Sequence, residues 1–475
     1  VFYRLNYGYK GRYLIETSGR YDGSSKFPVN EMWGFFPSAS AAWRISEEKF
    51  MEGTRSWLDN LKLRFSVGAL GNGNVDPYKF LPTMSIDKTG VIVGDGQVNY
   101  TSYPGLIPNN LTWEKVTTYD VGVDVDMFKN RLTIGFDWYR RNTTDMYTVG
   151  PTLPEVLGTT QPKGNYANLK TKGWELTLSW RDNFKLAGSD FHYGVKFMLW
   201  DSQSWITKYN NATGKLSDYY EGYRIGDIWG YNIEGLFTSY DEIANHADQD
   251  YIKISDSKIW QPGDLKFADL NGDGKIDKGA QTLSDHGDLV IVGNEEERYH
   301  YGFNLNVGWK GIGISAFFQG VGKRDWYPGQ ETGFFWGKYN RPYGYSLKMH
   351  ENRWTEENPN PNAYWPRLVG YSSENGGRPM GTPNNRYMQD ASYLRLKALT
   401  VDYSLPQAWV SKLGLTGLKI YFTGENLFTF SNICENFDPE VIKGGDVDLK
   451  DRKGEEQGYS YPMLKTYTVG LNVSF

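Results

Sequence analysis

The feature that most restricts this chain is a strict alternation of apolar and polar residues. In "GWELTLSWR", Trp174, Leu176, Leu178 and Trp180 fall on one side of an extended strand. Glu175, Thr177, Ser179 and Arg181 fall on the other. In "YDVGVDVDM", Tyr119, Val121, Val123, Val125 and Met127 share one side, and Asp120, Asp124 and Asp126 share the opposite one. The same period of two returns over 61–67, 132–138, 191–199, 301–309, 399–405 and 418–422, and it closes the chain in 466–475. About thirteen such strands are expected, which makes the fold all-β.

Period two alone leaves a soluble sandwich or propeller open. Two features point instead to a transmembrane antiparallel β-barrel. Apolar faces end in tryptophan at Trp113, Trp138, Trp174, Trp180, Trp200 and Trp309, as interfacial girdles do. Connections also alternate in length. "FKNRL" (128–132) and "WKGIG" (309–313) are tight turns, whereas 71–111, 146–172, 206–298, 322–391 and 432–462 are long. Composition agrees. Mean hydropathy is −0.59, yet aromatics make up 16% of the residues and glycine contributes 54. Strands that face lipid on one side and water on the other satisfy both values.

Nothing in the sequence is long and apolar enough for a transmembrane helix. A net charge of −5 and a pI near 5.7 speak against nucleic-acid binding. Cys434, the single cysteine, can form no internal disulfide. Val1 opens directly into strand-like "VFYRLNYGYK", without a leader pattern. With short turns on the periplasmic side, an odd strand count places the C-terminus there as well. Single-chain bacterial barrels close with an even count, so the early strands are expected to lie outside this sequence.

The segment 206–298 carries "ADLNGDGKIDK". Asp269, Asn271, Asp273 and Asp277 occupy positions 1, 3, 5 and 9 of a calcium-loop pattern, the Lys275 carbonyl falls at position 7, and Gly274 sits at the turn. Position 12 is Ala280, so the bidentate glutamate of a sensor is missing and Asp285 or Asp288 would have to reach back. The expectation is a structural Ca²⁺ or Mg²⁺. The alternative is an Asx-turn loop without a stable ion.

Other chemistry is sparse. His192, His246, His286, His300 and His350 form no HxH or HxxxH pair, and neither GxSxG nor a P-loop occurs. No enzyme is expected. Asp120, Asp124 and Asp126 fit a hydrated wall better than a cation path. The stretch 325–345 holds Trp326, Tyr327, Phe334, Phe335, Trp336, Tyr339, Tyr343 and Tyr345. Packing within the loop, partner docking and direct stacking on a ligand are its three readings. Trp326, Tyr327, Phe335, Trp336 and Tyr339 are its candidate contact residues.

Several phrases together resemble the SusC/RagA family of TonB-dependent outer-membrane transporters. They are "RYDGSSKF" (20–27), "FPSASAAWRISEEKFM" (36–51), "LKLRFSVGALGN" (61–72), "LTWEKVTTYDVGVD" (111–124), "GDLKFADLNGDGKID" (263–277), "GENLFTFSN" with "DPE" (424–432, 438–440) and "YPMLKTYTVGLNVSF" at the end. The resemblance runs the whole length in the family's order. It implies that 1–475 is the C-terminal part of a barrel of about 22 strands, whose N-terminal plug matches no part of this sequence. It further implies uptake of oligosaccharides, or less often peptides, across the outer membrane of a Bacteroidetes-type bacterium. Partners implied in this way are a SusD-like surface lipoprotein, the TonB complex acting through the plug, outer-membrane lipid, and a dimer of transporter–lipoprotein pairs. A surface scaffold without transport is the alternative from another class.

Overall fold

The computed structural model describes residues 1–108, 111–150, 153–154, 156, 161–252, 259–329, 332–339, 344–368, 380–442 and 460–475. Thirteen strands hydrogen-bond in chain order into one antiparallel sheet. They are β1 (Phe2–Tyr9), β2 (Tyr13–Gly23), β3 (Trp33–Arg44), β4 (Leu58–Asn72), β5 (Glu114–Met127), β6 (Leu132–Val149), β7 (Lys163–Leu186), β8 (Ser189–Lys208), β9 (Arg298–Trp309), β10 (Ile312–Lys323), β11 (Tyr393–Ser404), β12 (Gly417–Ser431) and β13 (Thr466–Ser474). The expected count and fold class hold. By packing, the chain divides into two units, Val1–Ser179 with Trp200–Ile225, and Trp180–Leu199 with Gly226–Phe475.

Register turns the alternation into rows. In the first unit Phe65, Val121 and Trp138 lie side by side on β4, β5 and β6, each 40–50% exposed. The opposite face carries an ion network. Arg64 Nε donates to Asp124 at 2.9 Å and Arg64 Nη2 pairs with Asp137 at 2.9 Å. Asn60 donates to Asp126 at 3.2 Å. In the second unit Ile314, Val401, Phe422 and Val469 form an apolar row across β10 to β13. One residue further along, Ser315, Thr400, Thr423 and Thr468 form a polar row, with Thr400 and Thr423 hydroxyls 2.8 Å apart. Apolar side chains left exposed along a hydrogen-bonded array suit a hydrocarbon solvent, whereas the hydroxyl and ion rows suit water.

Turn chemistry explains the short connections. Lys310 and Gly311 both take positive φ (50° and 82°), as do Ala187 and Gly188 (47° and 76°). This twist matches that of two antiparallel strands. Phe128, Lys129 and Asn130 are likewise left-handed. From β4 onward short and long connections alternate, and β13 ends at the short-turn end, where Ser474 pairs with Gly417.

Two expectations need correction. The connection expected over 146–172 is only 150–162, because β6 and β7 run on as long polar strands beyond the apolar rows. Trp113 is not a girdle residue. It is buried with Phe27, Phe36, Val75 and Leu111 in a small core, and its indole donates to the Met32 carbonyl at 3.1 Å.

Candidate functional site

The acidic loop folds through its own backbone. Gly272 (φ 77°) and Gly274 (φ 81°) supply left-handed turns that a side chain would strain. Asp269 accepts the amides of Gly272 at 2.7 Å and Gly274 at 2.9 Å. Asn271 accepts Asp273 N–H at 3.0 Å, Asp273 accepts Lys275 N–H at 2.8 Å, and Asp277 accepts Gly279 N–H at 2.7 Å. Each is an Asx-type contact two to five residues ahead.

Asp288 folds back onto the loop backbone. Fully buried (0% exposed), it accepts Leu270 N–H at 2.8 Å and Asp277 N–H at 2.9 Å. Asp285 accepts Ala280 N–H at 3.1 Å. The Lys275 position is tied to Asp248 through an isolated bridge. Backbone amides thus account for every loop carboxylate. Among the described residues, no three His, Cys, Asp or Glu side chains gather into a set that could hold a metal ion.

The aromatic stretch has a different character. Trp326, Phe335, Trp336 and Tyr339 are buried, and their partners come from far along the chain. Trp365 is central. It stacks on Tyr339 and on Tyr387 at 5.2 Å each, and meets Phe335 at 5.3 Å and Trp336 at 6.1 Å. Trp326 packs on Phe437 at 5.0 Å. Trp336 Nε1 donates to Gly329 O (2.9 Å), Trp365 Nε1 to Met349 O (2.9 Å) and Tyr339 OH to Pro366 O (2.7 Å), whereas the buried Trp326 Nε1 has no hydrogen-bond partner among the described residues. Tyr327, half-buried, donates to Met380 O at 2.6 Å and accepts from Asn384 at 2.7 Å.

Direct stacking of a ligand on Trp326, Phe335, Trp336 or Tyr339 therefore has no open ring face in this structure, because each ring is buried against side chains from elsewhere in the loops. Phe334 and Tyr345, 5.9 Å apart, are the exposed rings of the stretch. Tyr343 lies outside the described residues.

A buried ion cluster, not anticipated from sequence, lies beside this core. Arg395 on β11 is 2% exposed and bonds Asp438 and Glu440 at 2.6 Å each. Lys397 joins Glu440 at 2.8 Å, and the buried Arg324 donates to the Pro439 carbonyl at 2.9 Å. The "DPE" motif is thus gripped by cations from two strand ends. Asp264, also buried, sits 2.5 Å from Arg367. Burial pushes its carboxyl up to about 6 against the opposing pull of that guanidinium. Burial likewise pushes the Cys434 thiol up to about 12, which disfavours its thiolate. No cue in the sequence marks Arg395: it lies before the alternation of 399–405, beyond a register shift between Leu396 and Ala398.

A protein-family model for the TonB dependent receptor-like β-barrel matches residues 1–247, more than half of the chain. This chain belongs to the TonB-dependent receptor β-barrel family. Relatives of this barrel include "TonB-dependent receptor P3" of Formosa agariphila, 30% identical over the whole chain and 45% of the relative. "TonB-dependent receptor SusC" of Bacteroides thetaiotaomicron is 27% identical over the whole chain and 43% of its own length. Among solved structures, the RagAB peptide transporter superposes with a TM-score of 0.72 at 23% identity, covering all of this chain and 47% of that one. This receptor barrel thus spans about half the length of the curated relatives it matches. The SusC/RagA resemblance carried by the motifs is borne out, and membership places the chain in a family of outer-membrane barrels.

Proposed function

We propose that this chain is the barrel part of an outer-membrane active importer of the SusC/RagA type. Its substrates would be oligosaccharides, captured with a SusD-like surface lipoprotein and moved with TonB energy. The observation that carries the reading is the joint one. A thirteen-stranded sheet exposes apolar rows on one face and ion and hydroxyl rows on the other, and its whole sequence aligns with a SusC-named receptor. Such a wall separates lipid from a hydrated path. The alternation of short and long connections supports long loops outside the cell and the C-terminal end in the periplasm, and the long loops would face the lipoprotein.

The test is the mass of whatever the full-length protein releases after purification from its host, combined with uptake in a deletion strain. Released sugars and lost uptake support the reading. Released peptides would move it to peptide import. Nothing released and unchanged uptake would leave a surface scaffold. Co-purification of a lipoprotein, and native masses of paired complexes, test the partners.

A structural Ca²⁺ or Mg²⁺ held by Asp269, Asn271, Asp273, the Lys275 carbonyl and Asp277 belongs to the same proposal. Alternate oxygen donors and the two glycine turns support it, and the amide contacts of the same carboxylates compete with it. The ion would lower the ordering cost of a long loop. Chelation should lower the melting temperature of the detergent-solubilised protein by a few degrees, and Asp273→Asn should reproduce the shift. Equal melting with and without chelator would rule the ion out.

A further inference from the structure

His350 is buried to 2% exposure inside the aromatic core of the 332–391 region, and it makes two bonds that require one protonation state. It stands at the third position of a short 3₁₀ turn, Lys348–Glu351, and Nδ1 accepts the amide of Leu347 at 2.8 Å. This is the return half of a capping arrangement. On the other side of the ring Nε2 lies 2.7 Å from the Phe335 carbonyl, which can only accept. So Nε2 carries the proton and Nδ1 does not, and the ring is neutral. It is wedged 4.9 Å from the Trp365 ring and 6.4 Å from Tyr339. Gly337 (φ 53°) leaves room for it: a Cβ there would meet the imidazole at 2.9 Å.

We infer that His350 is an acid-sensitive pin that ties the Leu347–Glu351 turn to the one-turn helix Gly333–Trp336 while neutral and releases it when protonated. A second proton has only Nδ1 to occupy. It would face the Leu347 N–H across 2.8 Å, donor against donor, and strip that amide of its acceptor. The Phe335 carbonyl alone favours the added charge, and burial outweighs it. The groups that act on it from the packed elements are Arg353, whose charge opposes protonation, and the neutral Tyr339, whose hydroxyl is spent on Pro366. Among the described residues, no carboxylate is among the groups acting on it. Burial and Arg353 together hold the histidine below its ordinary range, which agrees with the geometry.

The sign follows. The folded pKa lies below the open-state value of about 6.5. The contact is therefore fully effective above that pH and weakens as pH falls. Each pH unit below about 6.5 raises the open population of this turn about tenfold, until the folded pKa is reached.

The experiment is hydrogen–deuterium exchange of the peptide spanning 344–352 in the full chain, at pH 7.5 and pH 5.5. It is read as the ratio of protection in wild type to that in His350→Gln at the same pH, which cancels the chemical exchange rate. Glutamine keeps a donor and an acceptor but does not titrate. The ratio should fall as the pH drops, with about tenfold as the upper limit, and a ratio that does not change overturns the pin. If the variant fails to fold, exchange at the imidazole C2–H of wild-type His350 decides. A slow reaction with a midpoint below the ordinary histidine range supports the inference, and a fast one with an ordinary midpoint overturns it.

Discussion

The apolar rows of the strands and the aromatic core of the long loops draw on the same residue types and put them to opposite uses. Phe422 and Trp138 stand about 40% exposed in arrays that repeat every second residue. Trp336 and Trp365 are fully enclosed, and their neighbours arrive from 327, 339, 350 and 387. The first arrangement needs a surrounding hydrocarbon to satisfy it. The second is a water-excluding core in miniature, and its Trp336 and Trp365 indoles are held by hydrogen bonds to backbone carbonyls. An aromatic-rich loop region is therefore as consistent with internal scaffolding as with ligand contact. The ion pairs divide in the same way. Arg64 on the strand face is about a third exposed, whereas Arg395 beside the loop core is sealed.

Five substitutions would break or sharpen this contrast. Trp365→Ala should open a cavity that destabilises the loop core by about 3–5 kcal/mol. Denaturant-dependent tryptophan fluorescence would report the loss, while the heat-modifiable gel mobility of the folded barrel stays unchanged. Loss of the barrel itself would mean that loop and sheet are one cooperative unit. Arg395→Ala leaves Asp438 and Glu440 without their buried partner, and a cost of about 3–5 kcal/mol is expected. Proteolytic sensitivity around 432–442 would locate it.

On the sheet, Phe422→Arg places a charge in the apolar row and should cost about 2–4 kcal/mol if that row lies near the bilayer centre. Thr423→Arg, one residue away on the polar face, should cost little. Equal penalties in vesicle refolding would erase the two-sidedness of the strands. Smallest of all, Arg64→Ala should change stability by about 1 kcal/mol or less, because solvent screens the pair and can replace it. A large loss there would show that the strand-face network is as dry as the Arg395 cluster.

Much of the sheet was legible because a strand's side-chain period is local geometry. Thirteen strands, their faces and their tight turns need only near neighbours, such as the two positive-φ residues Lys310 and Gly311. The acidic loop was legible for the same reason, since Asp269, Asn271, Asp273 and Asp277 bond amides only two to five residues away. Tertiary structure alone decided the rest. It sent Asp288 back to close the loop in place of Ala280, took Trp113 out of the girdle and into a core, and extended β6 and β7 past their apolar stretches. It also enclosed the candidate aromatic contacts and matched Arg395 to "DPE". Each of these outcomes rests on partners from other strands or loops. Burial is a property of what covers a side chain, and sequence periodicity does not record what arrives from elsewhere in the chain.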